Sequence, residues 1–360
     1  MATTPRLEEW MRLNKERLRH GYIWNEYVQD LYEFPKNFAP PRDLGDDIDI
    51  QRMDIHDWPL YRISCRPTPI RPGTMLYCHG GDFVNEIVSQ HYRLAAQIAR
   101  DAGMSVFIPI YPLVPRPTAT FEKVVGELCD IVTQGYTEGR WYIDSIGGDS
   151  VGGTLAMLTM QRLIRTQSPF ASNIKSLVLM SPLLDCNLNH RETIRLEAND
   201  PWLGIDGLVK ACRQFNRWQV SGYENDIILD LSDPRASPLF GDISGLPPTL
   251  LLSGTRDMLC ADARRLSARF RNGDTLENAQ EWIAGSVELE GFKYVEAEDM
   301  VHVWPLMASP EGAEAREVIM EFLRTHRPMP PWLQEQNVQD QATGTDYHQT
   351  ESDEAGPERI

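Results

Sequence analysis

The chain has 360 residues, 42% of them apolar, and its 52 acidic side chains outnumber the 35 basic ones, giving a formal charge of −17 at pH 7. That length suits one α/β domain with insertions, and the charge argues against a nucleic-acid backbone or an anionic membrane surface as partner. No stretch approaches the roughly 18 uncharged apolar residues of a spanning helix.

Residues 1–12 alternate charged and apolar positions without the apolar core of a secretory signal. Cys65, Cys78, Cys129, Cys186, Cys212 and Cys260 are scattered, with no CxxC pair and no Cys/His spacing suited to a metal. The expectation is a cytoplasmic protein with free thiols, no metal and no transmembrane segment.

In chain order, residues 5–33 read as helical, with Leu7, Trp10, Met11, Leu18, Tyr22 and Ile23 near helical spacing. Pro35, Pro40 and Pro41 end that region. From about residue 50, strands are expected at 74–78, 105–111, 176–180, 249–253 and, more weakly, 292–296. Several are unbroken apolar runs, as in parallel strands buried on both faces. Helices are expected at 91–102, 154–165, 264–270 and 314–325. This alternation predicts a mainly parallel central sheet flanked by helices. Residues 186–245 interrupt it and read as an insertion. Residues 328–360, polar and acidic, read as a disordered tail.

The strongest local signal is Gly148-Asp149-Ser150-Val151-Gly152, followed by Gly153, between a short segment and an amphipathic helix. A G-x-S-x-G between strand and helix presents a nucleophilic serine on a tight turn that only small neighbours permit. The second signal, His79-Gly80-Gly81-Asp82-Phe83, directly follows a strand. Its paired glycines let backbone N–H groups approach a developing oxyanion.

A serine hydroxyl needs a base. His190 follows Ser150 too soon, His326 closes the last helix and His348 lies in the tail, which leaves His302, in a loop past the strand at 292–296. The acid is expected at Asp257, in the loop after the strand at 249–253. Asp262, Asp185 and Asp299 are its rivals. Phe83, Trp202, Tyr223 and Trp304 are candidates for an apolar substrate pocket, with core packing the competing role for each.

In this order, His79 to Phe83, Gly148 to Gly153, Asp257 and His302 resemble the hormone-sensitive-lipase-like branch of the α/β hydrolases, mostly carboxylesterases and small deacetylases. The resemblance spans roughly residues 50–325. It includes Tyr111-Pro112-Leu113-Val114-Pro115 and the stretch Ser232-Asp233-Pro234-Arg235-Ala236-Ser237-Pro238-Leu239, which is similar to the branch's loop returning from cap to sheet. Asp200-Pro201-Trp202-Leu203 is similar only loosely. The resemblance implies an α/β-hydrolase fold over residues 1–327 and a helical cap from about 1–45 and 186–245. It also implies an oxyanion hole from the N–H groups of Gly80, Gly81 and Val151. Two residues depart from the branch: Asp82 replaces its third glycine, and Arg116 replaces its usual acidic residue. Asp82 either bonds nearby backbone or selects a substrate bearing an amine or hydroxyl.

The expected chemistry is hydrolysis of a small-molecule carboxylic ester through Ser150, His302 and Asp257, with an acyl-enzyme and no cofactor. Two alternatives remain: acyl transfer, condensation or elimination by the same triad, or a hydrolase-fold binding protein without catalysis. The sequence leaves the oligomeric state open, a homodimer included.

Overall fold

The computed structural model describes residues 38–67, 73–218, 227–273 and 282–326. The helical reading of 5–33, the tail at 328–360 and Tyr223 lie outside the described residues. Among the described residues, nine strands form one sheet: β1 (Ile48–Ile55), β2 (Trp58–Cys65), β3 (Gly73–Cys78), β4 (Met104–Pro109), β5 (Ser145–Asp149), β6 (Ser176–Met180), β7 (Thr249–Gly254), β8 (Val287–Leu289) and β9 (Phe292–Ala297). Their spatial order is β1-β2-β4-β3-β5-β6-β7-β9-β8. The six from β4 to β9 in that order pair in parallel. The β1–β2 hairpin and β8 join antiparallel at the margins.

The apolar runs occupy the middle of the sheet. Every residue of β3, β4, β5, β6 and β7 is buried. Their side chains alternate between two apolar layers. Leu177, Leu179 and Leu251 join the layer containing Leu128 and Leu155. Val178, Leu250 and Leu252 join the opposite layer, with Leu94, Ile98 and Ile319. The helices supplying these layers are α1 (Ser89–Asp101), α2 (Phe121–Glu138), α3 (Val151–Arg165) and α7 (Pro310–Thr325). Helix α6 (Cys260–Asn272) follows β7.

The β1–β2 hairpin and helix α2 are among the elements that went unread in the sequence. The β1–β2 hairpin has a solvent-facing outer strand, so β1 is buried only at its ends. Helix α2 starts where the Thr120 side chain accepts the Lys123 N–H and stops at Gly139, whose φ of 66° suits glycine.

Residues 186–245 carry α4 (Arg191–Glu197) and α5 (Ile205–Phe215). A short ribbon pairs Arg217–Trp218 with Ile227–Ile228. Three of the contacts that dock this insertion on the rest of the fold bear on the site. Arg264 of α6 reaches Glu192 at 3.2 Å, Asp200 accepts the Met258 N–H at 2.8 Å, and Phe215 stacks on Phe83 with ring centroids 4.2 Å apart.

Candidate active site

Because β3, β5, β7 and β9 run parallel, the segments holding His79, Ser150, Asp257 and His302 all leave the same edge of the sheet. At the end of β5 the chain turns into α3 through Ser150, with φ 53° and ψ −124°. That conformation is strained for a residue with a side chain, as the turn of a nucleophile elbow is. Close packing explains the flanking glycines. A Cβ at Gly148 would strike the carbonyls of Cys78 and Gly152, and one at Gly152 would strike those of Cys78 and His79.

Beyond β9, His302 is 3% exposed and Asp257 fully buried. His302 Nδ1 lies 2.8 Å from Asp257 Oδ2, while Asp257 Oδ1 accepts the Leu259 N–H at 2.9 Å. Burial pulls the imidazole pKa down. The charge and hydrogen bond of Asp257 outweigh it, Asp200 and Asp82 add to the rise, and the pKa stands at about 9.

Two hydrogen bonds lead from Ser150 to the loop carrying His302. The Ser150 N–H donates to Met180 O at 2.9 Å, and the next residue, Ser181, accepts the Val303 N–H on its hydroxyl at 3.1 Å. The loop carrying His302 is thus fastened to the end of β6, the strand beside β5.

The rivals for the acid have other partners. Asp262 Oδ2 accepts the N–H groups of Leu184 and Asp185, each at 2.9 Å. Asp185 pairs with Arg265 at 2.7 Å. Asp299 is exposed. His326 stays at the end of α7, with Nδ1 against Phe322 O.

The glycine turn differs from expectation at one residue. The Gly80 N–H donates to Asp149 Oδ1 at 3.0 Å, so it is committed inside the fold rather than open to an oxyanion. The Tyr77 hydroxyl donates to the same oxygen at 2.5 Å, and His91 Nε2 lies 3.3 Å from the other. His91 Nδ1 accepts the Val88 N–H, so Nε2 carries the proton and donates. Among the described residues, no acceptor takes the N–H of Gly81, Asp82 or Val151.

The pocket candidates divide. The Trp202 ring stands edge-on to the His302 ring at 5.8 Å. Asp82 is half-buried, with φ 58°. Burial raises its carboxyl pKa, His302 lowers it and Asp149 raises it, leaving it above the ordinary value. Phe83 is a core residue instead, fully buried and packed against Phe121 and Phe215. Its φ is 61°. Trp304 is also core, 2% exposed among the residues of the α1–α7 layer. Val303, between His302 and Trp304, has φ 46°.

Sequence reasoning gave no role to Asp149 or Asp200. Asp149 had a readable signal, its place inside the serine motif. Asp200 had only a loosely similar stretch. Away from this edge, ligand atoms of His56, Glu127 and Asp130 lie within 4.8 Å of one another. Gln134 binds His56 at 2.8 Å, and Lys123 and His56 both bind Glu127.

Comparison with known proteins places the fold in a family. A family model described as alpha/beta hydrolase fold matches residues 75–283. An acetyl-hydrolase of Streptomyces hygroscopicus is 29% identical over 273 residues, covering 72% of this chain and 80% of the relative. An ethyl acetate hydrolase of Pseudomonas putida is 29% identical over 279 residues, covering 72% and 83%. A solved esterase from the bacterial hormone-sensitive lipase family superposes with a TM-score of 0.64 at 26% identity, covering 91% of this chain and 99% of that one. The chain belongs to the α/β-hydrolase family, in its hormone-sensitive-lipase-like branch of ester hydrolases.

Proposed function

We propose that the chain hydrolyses small-molecule carboxylic esters through Ser150, His302 and Asp257. The observation that carries this reading is the buried His302–Asp257 pair, 2.8 Å apart, on a loop fastened beside the strained Ser150 turn. In the proposed cycle, Ser150 Oγ attacks the ester carbonyl carbon and His302 Nε2 takes its proton. The tetrahedral intermediate collapses, the C–O bond breaks, and the alcohol leaves with that proton. Water, deprotonated by His302, then releases the acid. Asp257 fixes the Nδ1–H tautomer and stabilises the imidazolium.

The oxyanion would be held by the N–H groups of Gly81, Asp82 and Val151. Gly80 is replaced by Asp82 in this set because its own N–H is bound to Asp149. Each such donor is typically worth about 3 kcal/mol in the transition state. The insertion at 186–245 serves as the cap, with Trp202 at the site. The names of the two relatives support a short acyl group, acetyl above all. Six free cysteines, and no helix among the described residues long and apolar enough to cross a membrane, support a cytoplasmic setting.

A panel of p-nitrophenyl esters from acetyl to palmitoyl tests the reading. Turnover of the short esters that vanishes in Ser150→Ala supports it. Turnover that persists in Ser150→Ala, or a wild type inert to the whole panel, contradicts it. Product analysis with an added alcohol separates hydrolysis from acyl transfer.

A further inference from the structure

Asp200 lies in the insertion, 57 positions before Asp257 in sequence, yet it is 1% exposed. One carboxylate oxygen, Oδ1, accepts the N–H groups of Trp202 at 2.7 Å and Leu203 at 2.9 Å. The other, Oδ2, accepts the N–H of Met258 at 2.8 Å. A single carboxylate therefore joins two pieces of the site. On one side is the turn carrying Trp202, whose ring stands edge-on to His302. On the other is the residue next to Asp257.

From these contacts we infer that Asp200 is a positioning residue of the hydrolytic site, acting through the Asp257–Met258 turn and through Trp202 on the orientation of His302. The inference rests on the ester-hydrolase reading above. A buried carboxylate beside a second carboxylate is unfavourable unless its lone pairs are filled. Burial, and then the charge of Asp257, push the Asp200 carboxyl pKa up, while its three backbone hydrogen bonds pull it down. A solvated surface position would avoid the charge conflict. At this position the anion is close enough to both catalytic partners to act on each. The charged groups acting on His302 are Asp257 from the loop after β7, Asp200 from the insertion and Asp82 from the turn after β3.

The side-chain geometry makes Asn a sharp probe. Trp202, Leu203 and Met258 all offer Asp200 backbone N–H donors. An Asn amide must therefore turn its own NH2 group against one side or the other. It either releases Met258 or releases the Trp202 turn, and it removes the charge in both cases. Asp200→Ser is the second variant. Its hydroxyl can accept from the local turn, as Asx-like turns with serine do more weakly, but it is too short to hold Met258.

The test measures kcat, KM and the pH dependence of kcat/KM on p-nitrophenyl acetate for wild type, Asp200→Asn and Asp200→Ser, alongside the melting temperature. The expected result is a kcat about 10- to 100-fold lower in both variants, since a misplaced catalytic group costs up to about that factor. KM should change less than about threefold, and the acid limb of the pH profile should move to lower pH because an anion that favours the imidazolium is gone. A purely structural role predicts a lower melting temperature with kcat and the acid limb unchanged in the folded protein, and that result overturns the inference. Failure of both variants to fold assigns Asp200 to stability and overturns it as well. Unchanged variants beside an active wild type sink this inference alone, whereas a wild type inert to esters sinks the functional reading with it.

Discussion

His302 Nδ1 lies 2.8 Å from the Oδ2 of Asp257, and the two residues come from loops after neighbouring parallel strands. Asp257 keeps its other oxygen on the Leu259 N–H, so the carboxylate is fixed at both ends. A neutral imidazole held in this way has its proton on Nδ1, which leaves Nε2 able to act as a base.

Asp257→Asn should therefore damage turnover more than structure. An amide in that place favours the wrong imidazole tautomer, and a loss of about 10⁴ in kcat is the expected scale. Steady-state kinetics alongside circular dichroism checks this. A loss under tenfold in a folded variant would remove Asp257 from the triad.

The acid limb of kcat/KM should lie above the ordinary histidine value of about 6.5. Burial lowers the His302 pKa, but Asp257 and then Asp200 and Asp82 raise it to about 9. Since the base must be unprotonated, activity should still be rising between pH 7 and 9. The same shift predicts a stability effect. A group whose pKa is raised on folding stabilises the folded state fully below its unfolded value, and that contribution fades as pH climbs through the folded value. The melting temperature should thus lose a contribution between about pH 6.5 and pH 9, and His302→Gln should lack that part of the slope. A kcat/KM profile flat from pH 5 to 9 contradicts His302 as base.

Asp82 carries a half-buried carboxylate whose charge acts on His302, and its main-chain N–H is a proposed oxyanion donor. Asp82→Asn preserves the backbone, because asparagine tolerates positive φ, and removes only the charge. Relative to an uncharged ester of the same size, an ester bearing an ammonium group should lose about tenfold in kcat/KM, equal to about 1.4 kcal/mol. Equal changes on both esters would show that the carboxylate does not select substrates.

Gly152→Ala tests the packing of the elbow. Its Cβ would meet the carbonyls of Cys78 and His79, which are backbone and cannot swing aside. The expected cost is about 1–3 kcal/mol, as for other overpacked cores, read by urea denaturation. A variant as stable as wild type would mean that β3 and α3 are less tightly apposed than described.

Legibility in the sequence followed burial and distance along the chain. The middle strands announced themselves because β3, β6 and β7 are enclosed on both faces and must be apolar throughout. Strand β1, buried only at its two ends, gave no such run. Ser150 and His302 stood out as candidates because a tight turn and a late loop restrict residue type. Nearness in sequence misled at Trp304 and Phe83, whose side chains are buried in the core layers. Gly80 was misassigned because its partner, the Asp149 carboxylate, comes from a strand 69 positions away. Asp200 shows the same limit, since nothing local marks a residue whose role depends on a distant loop.

The most direct measurement is covalent labelling with a fluorophosphonate, followed by peptide mass mapping. The account predicts one adduct, on the peptide containing Ser150, absent in Ser150→Ala and formed far more slowly in His302→Ala. An unlabelled wild type, or an adduct on any other residue, contradicts it.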